Sequence, residues 1–252
     1  MPLWRVIPFS DTNLLAVELR DAELLQAKFA VVDPKNGQVL LPPTAGPEPW
    51  WAGLQGAAQE QLYVHVFHKQ PQVGVSGLAA LCSNSGREQW QQKGMALRGV
   101  TANGLLAQPA QDPEGAFVAL DPISGRIIAD GQGQAKTTAT AQQETVFPVS
   151  YSPENPHYAT LQQFLELKLH LRVEGPIEYS ETDNYILFSI HLTENERLMN
   201  YLIVFENNGH LRFRKKLAGN LQGYATDTFF LFCGKAICVQ DGTNLLLIDI
   251  QK

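Results

Sequence analysis

The chain has 252 residues and a formal net charge of −6 at pH 7, with 44% hydrophobic and 17% charged residues. This apolar content is too high for a disordered chain. The lysines and arginines are scattered, and no basic stripe is present that would neutralise the phosphates of a nucleic acid. We therefore expect a globular protein without a nucleic-acid partner.

The N-terminus and the cysteines predict a cytoplasmic protein that does not enter a membrane. Residues 1–6 contain no basic stretch followed by an apolar core, and no segment approaches ~18 uninterrupted apolar residues. Cys82, Cys233 and Cys238 are an odd number and lack metal-ligand spacing. Reduced thiols in the cytoplasm fit this pattern better than a disulfide framework.

A hairpin phrase recurs along the chain. It consists of an apolar strand, an Asp or another polar residue, a Gly four positions later, and a second short strand. The phrase occurs at 29–41, 78–90, 117–129 and 201–213. Because Gly readily adopts a positive φ, each phrase predicts a β-hairpin with Gly in the turn.

A second pattern gives the spacing of the repeat. In each repeat unit a predicted inner strand is followed by a second strand, and the units can be aligned on the first residue of that second strand. These residues are Leu14, Leu62, Leu105, Val146, Tyr185 and Phe229. These residues are 39 to 48 positions apart, which is typical of a four-stranded propeller blade. One twisted sheet buries little by itself, whereas blades stacked in a ring cover both faces of every sheet. We predict an all-β fold, a single β-propeller domain over residues 1–252 with about six blades; five blades plus an insertion is the alternative.

The hairpin phrase resembles the quinoprotein-type (WD/PQQ-like) propeller repeat, in which a strand, an Asp, a Gly four positions later and a strand ending in Trp recur. The residues that carry the likeness are Asp33 with Gly37, Asp121 with Gly125, and Gly86 with Trp90. The chain departs from the repeat at Cys82 and Phe205, which stand in place of Asp. The resemblance implies the propeller fold, and we expect no cofactor.

The fourth repeat unit is irregular. After a strand at 144–152, two prolines precede a segment whose apolar residues have helical spacing. Apolar alternation over 165–173 then predicts a further strand. We predict a short helix near 156–164 in place of part of the fourth blade; this insertion is either functional or a surface loop.

Polar and aromatic residues around this unit form a first candidate ligand site. They are His157, Tyr158, Glu178 and Tyr179. The inner strands of a propeller and their loops converge at the axial mouth, where these groups could contact a small molecule. The alternative is that the two tyrosines pack the distorted blade and the acids are solvated.

Trp50 and Trp51 follow a proline-rich segment and offer a second candidate surface. Adjacent residues of a strand face opposite ways, so at most one of them needs burial. A tryptophan on a rim suits a contact with a protein or a sugar, whereas a tryptophan between blades is a packing residue.

No catalytic or metal-binding motif is evident. His65 and His68 are three residues apart, so on a strand they face opposite sides and do not share a metal. We predict no bound metal and a non-enzymatic scaffold or protein-binding module whose partner is a protein. The alternative is an enzyme or small-molecule-binding protein with an axial pocket near Glu178 and Tyr179.

The two chain ends are expected to lie side by side and close the ring. The apolar run at 244–250 needs strand neighbours, because an exposed apolar edge risks aggregation. Either this run is the outermost strand of the last blade, or residues 3–6 supply that strand.

Overall fold

The structure is a computed structural model that describes residues 1–69, 74–101, 104–112, 114–130 and 145–251. The described residues form twenty β-strands and one α-helix, which confirms the predicted all-β fold class. They fall into two compact units, Met1–Gln143 and Glu144–Lys252, here called the first and second unit. Within the part of the chain that the structure describes, no helix has the length and apolar character needed to span a membrane.

The first unit contains three four-stranded antiparallel sheets, and in each sheet the strands pair in sequence order. The first sheet comprises β1 (Leu3–Pro8), β2 (Leu15–Asp21), β3 (Gln26–Asp33) and β4 (Gln38–Ala45). The second comprises β5 (Ala52–Ala58), β6 (Gln61–Phe67), β7 (Val75–Cys82) and β8 (Glu88–Lys93). The third comprises β9 (Met95–Thr101), β10 (Gly104–Pro109), β11 (Val118–Leu120) and β12 (Ile127–Asp130). Each sheet is the four-stranded meander expected of a propeller blade.

The predicted hairpin phrase forms the turn between the third and fourth strands of these sheets. The Gly37 N–H donates to the Asp33 carbonyl at 2.9 Å, and the Asp33 carboxylate accepts the Lys35 N–H at 2.8 Å. The Gly125 N–H likewise donates to the Asp121 carbonyl at 2.8 Å. Gly37 and Gly125 have φ of 73° and 68°, a conformation that favours Gly.

The sheets of the first unit pack face to face. Leu62 and Tyr63 are neighbours on β6 and are both fully buried. Leu62 packs with Leu54 and Phe29 toward the first sheet, whereas Tyr63 packs with Leu97 toward the third sheet. Because neighbouring side chains of a strand face opposite ways, both faces of the second sheet are covered.

The second unit contains two sheets and the helix. The larger sheet comprises β13 (Val149–Tyr151), β14 (Glu174–Glu181), β15 (Tyr185–Glu194), β16 (Arg197–Glu206) and β17 (Leu211–Leu221). The smaller sheet comprises β18 (Phe229–Phe232), β19 (Lys235–Gln240) and β20 (Asn244–Asp249). The helix α1 (Tyr158–Leu169) lies between β13 and β14 in the chain.

The helix extends beyond its predicted end, so the strand predicted over 165–173 is wrong. Residues four positions apart on a helix share a face, and Leu165 is fully buried in the core beside Leu161. Leu167, which the strand interpretation placed with Leu165, is 70% exposed. The helix ends at His170, which is left-handed with φ 55°.

The irregular region contributes one strand to the larger sheet and a single bridge to the smaller one. Val146 forms an antiparallel bridge with Leu231 at the edge of β18, and β13 pairs with β14. Leu221 ends β17, which belongs to the larger sheet. The described residues thus form five sheets, and the count of six blades is not confirmed.

The two terminal segments named in the closure prediction both form strands. β1 pairs with β2, so residues 3–6 lie at the edge of the first sheet, and β20 pairs with β19. The strand predicted over 144–152 begins at residue 144, which lies outside the described residues, and within that range Val149–Tyr151 form β13. Ring closure by the chain ends and the single-domain organisation stay predictions.

Candidate functional site

A pocket with a volume of about 390 Å³ lies between the first and second sheets of the first unit. This volume falls within the roughly 300–1,000 Å³ of typical ligand pockets. We call it the tryptophan pocket; it is lined chiefly by Trp4, Arg5, Glu18, Arg20, Trp50 and Trp51. The second candidate surface of the sequence, Trp50 and Trp51, therefore forms part of this pocket, and the structure adds Trp4 as a third tryptophan.

Arg20 is fixed at the centre of the tryptophan pocket. Its guanidinium carbon lies 5.5 Å from the ring centroid of Trp4 and 4.9 Å from that of Trp50. Its Nε donates to Glu18 at 2.5 Å, while its two terminal nitrogens donate to the carbonyls of Trp50 at 3.3 Å and Ala52 at 2.6 Å. Hydrogen bonds and cation–π contacts together hold the guanidinium in one position.

Glu18 compensates the charge of Arg20 from within the core. Its side chain is only 1% exposed, and its second carboxylate oxygen accepts the backbone N–H of Leu54 at 2.8 Å. Arg5 donates to the carbonyl of the same Leu54 at 2.6 Å. Charged side chains on β1 and β2 of the first sheet thus bind β5, the first strand of the second sheet.

The strand sequence explains this arrangement. Glu18 and Arg20 are two residues apart on β2, so they face the same side of the first sheet. Gly53 faces them from β5, and a Cβ there would lie 3.1 Å from Phe67 and 3.4 Å from Arg20. Sequence reasoning missed this pair; a Glu and an Arg at alternate positions of a strand that begins with three apolar residues were the available signal.

Trp50 and Trp51 are both half-buried, and Trp4 is 64% exposed. The expectation that at most one of them needs burial assumed that they lie on a strand, whereas both lie in the bend that precedes β5. Sequence reasoning missed Trp4, because the pairing of β1 beside β2 is what brings it to the segment at 50–51.

The other candidate site lies in the second unit, where the neighbouring residues Glu178 and Tyr179 of β14 make separate contacts. Glu178 on β14 is 3% exposed, and its carboxylate accepts the N–H groups of Asp227 and Thr228. The Thr228 hydroxyl donates to the same carboxylate at 2.5 Å. Both carboxylate oxygens of Glu178 therefore bind the segment that precedes β18.

Tyr179 packs into an aromatic cluster instead. Its ring lies 6.2 Å from Tyr151 and 5.4 Å from Phe188, and its hydroxyl donates to Glu181. Burial and the Glu181 carboxylate raise the pKa of Tyr179. His157 contacts the same Tyr151, with ring centroids 6.5 Å apart.

Tyr158 begins the helix and anchors it to the sheet. Its hydroxyl donates to the carbonyl of Gly175 at 2.8 Å, and the side chain is 7% exposed. The structure thus joins His157 and Tyr179 through Tyr151, and gives Tyr158 a separate contact. Glu178 is committed to Thr228, so the four predicted residues do not form one set of convergent polar groups.

Two buried histidines accept backbone hydrogen bonds. His65 Nε2 accepts the Leu97 N–H at 2.8 Å, and His191 Nε2 accepts the Ala225 N–H at 3.0 Å. Burial lowers the pKa of His65 to about 4, with smaller contributions from the charges of Arg98 and Arg5. Burial also lowers the pKa of His191. Both imidazoles act as neutral acceptors.

A family model described as Domain of unknown function (DUF4905) matches residues 9–90, roughly a third of the chain. No curated protein matches the chain. Among solved structures, the crystal structure of BamB from Moraxella catarrhalis is similar at a TM-score of 0.29 and 11% identity. That similarity covers 96% of this chain and 74% of the BamB chain. The family match includes Glu18, Arg20, Trp50 and Trp51 of the tryptophan pocket.

Proposed function

We propose that the chain is a protein-binding module of the β-propeller type, and that the tryptophan pocket is its binding surface. The observation that carries this proposal is the 64% exposure of Trp4 above a fixed arginine. Tryptophan and arginine supply much of the binding energy of protein interfaces when they are desolvated by a partner. A partner that covers Trp4 would bury this indole.

The rigidity of Arg20 supports the same function. Binding usually loses side-chain freedom, at a cost of roughly 0.5–1.5 kcal/mol for each flexible side chain. Arg20 is already held by Glu18 and by the carbonyls of Trp50 and Ala52, so little of its freedom remains to be lost. The pocket, at about 390 Å³, has room for a side chain of a partner.

The propeller arrangement is part of the proposal. The three stacked meanders of the first unit support it, as do the Gly turns at Gly37, Gly86 and Gly125. We further propose that these turns belong to quinoprotein-type repeats and that the protein acts in the cytoplasm, as the odd number of cysteines indicates.

The alternative function, an enzyme or small-molecule-binding protein using the region of Glu178 and Tyr179, has weaker support. An acid, base or ligand-binding group needs lone pairs or protons that face the ligand. The carboxylate of Glu178 already accepts three hydrogen bonds from Asp227 and Thr228.

Site-specific crosslinking tests the proposal. Trp4 is replaced by a photoreactive phenylalanine derivative in the full chain, expressed in its own cells, and Ile123, which is 67% exposed in the first unit, is replaced likewise as a control. We expect a discrete crosslinked protein from position 4 that position 123 does not give. The same adducts from both positions, or none from position 4, would contradict a partner at the tryptophan pocket.

A further inference from the structure

The charges that line the tryptophan pocket do not cancel. Glu18 and Arg20 form a close pair, with 2.5 Å between Nε and Oε1. Arg5 remains as a second positive charge in the lining. The pocket therefore carries a net positive charge beside its tryptophans.

Arg5 keeps hydrogen-bonding capacity. A guanidinium carries five N–H donors, and one terminal nitrogen of Arg5 donates to the Leu54 carbonyl. Among the ion pairs of the described residues, none includes Arg5. Glu48, in the segment leading to Trp50, is paired with Lys69 at 3.0 Å.

We propose that the tryptophan pocket selects a partner segment in which an apolar side chain stands next to a carboxylate. This inference rests on the proposed function. The indoles of Trp4 and Trp50 contact the apolar side chain, and the exposed guanidinium of Arg5 binds the carboxylate. Arginine matches a carboxylate with two parallel hydrogen bonds, and a basic segment at this position is repelled.

Two capped dipeptides that differ in one group test the selectivity. One is phenylalanyl-aspartate amide and the other is phenylalanyl-asparagine amide, which has the same shape without the charge. Binding is followed in the full-length protein through the NMR signals of the tryptophan indole N–H groups. Trp90 is an internal reference, because its indole donates to the Pro122 carbonyl at 3.0 Å, away from the pocket lining.

We expect the aspartate peptide to shift the signals of Trp4, Trp50 and Trp51 and to bind about three- to tenfold more tightly than the asparagine peptide. The preference should shrink as salt is raised, because Arg5 is solvent-exposed. Arg5→Gln should remove the preference, so that the variant binds the two peptides equally. Arg87→Gln, at another exposed arginine of the first unit, should retain the preference.

The outcomes separate the two proposals. Equal binding of both peptides to the unmodified protein, or an unchanged preference in Arg5→Gln, would overturn the selectivity and leave the pocket as a binding surface. No shift of any pocket indole with either peptide would overturn both.

Discussion

His65 on the second sheet accepts the backbone N–H of Leu97 on the third sheet at 2.8 Å. Glu18 on the first sheet does the same for Leu54 on the second, at 2.8 Å. In both cases a buried side chain on the second strand of one sheet satisfies a donor on the first strand of the next. These contacts fix the position of one sheet against its neighbour more specifically than apolar packing does.

The first unit should lose stability on mild acidification because of His65. The folded state keeps this imidazole neutral until pH falls to about 4, whereas in the unfolded chain it gains a proton near pH 6.5. Since the unfolded chain binds more protons between these values, the free energy of unfolding falls as pH falls through this window, by up to roughly 2–3 kcal/mol. Urea unfolding followed by tryptophan fluorescence reports on the first unit, because all four tryptophans lie there.

His65→Gln is the control for this pH dependence, since the amide oxygen can still accept from Leu97 and does not titrate. We expect this variant to have a smaller slope of stability against pH between pH 4.5 and 6.5. An unchanged slope would exclude His65 as the cause.

Removal of the buried carboxylate below the tryptophan pocket should destabilise the first unit strongly. Glu18→Ala leaves Arg20 without its counter-charge and the Leu54 N–H without an acceptor. Breaking a buried ion pair in this way costs about 3–5 kcal/mol. Glu23→Ala, at an exposed turn position, should change stability by less than ~0.5 kcal/mol. Equal denaturation midpoints for the two variants would contradict the structural role of Glu18.

Gly125 should tolerate substitution less well than Gly94. Both have a φ near 70°, so an alanine at either position strains the backbone by a similar amount. At Gly125 a Cβ would also lie 2.5 Å from the Trp90 ring, whereas at Gly94 nothing lies within 4 Å. We expect the thermal midpoint of Gly125→Ala to be lower than that of Gly94→Ala. Equal midpoints would show that Trp90 moves aside without cost.

In the second unit, Thr228→Val should weaken the binding of the segment before β18 to Glu178. The change removes the hydroxyl hydrogen bond to a buried carboxylate, which is worth about 1.5–3 kcal/mol. Hydrogen exchange of the Asp227 and Thr228 amides should accelerate, since both N–H groups donate to Glu178. Thr243→Val, at an exposed turn, is the matched control. Unchanged protection of both amides would contradict this contact.

Local turn chemistry made part of the fold predictable. The turns at 33–37 and 121–125 follow from an Asp and a Gly four residues apart, and both form as predicted. Trp50 and Trp51 could be proposed from sequence because they follow a proline-rich segment, where a tryptophan on a rim suits a contact with a partner. Arg20 was not found, because its role depends on β5 lying opposite β2, which no local pattern encodes.

The helix and the last sheet show two further limits. Leucines at 165, 167 and 169 fit the two-residue period of a strand, yet Leu161 and Leu165 also fit a helix, and packing selects the helix. The pairing of Val146 with Leu231 joins residues that are distant in the chain. Sequence spacing carries no information on such a pair.

The Val146 bridge also dictates an order of events during synthesis. Val146 and Leu231 exchange two backbone hydrogen bonds, at 3.0 and 2.8 Å, so the edge of β18 is covered by a segment made much earlier. Val146 cannot form this bridge until most of the second unit has been synthesised. Closing so long a loop slows folding. A shortened chain that starts after Val146 would leave the amides of β18 open at this edge, where the strand of another molecule can add.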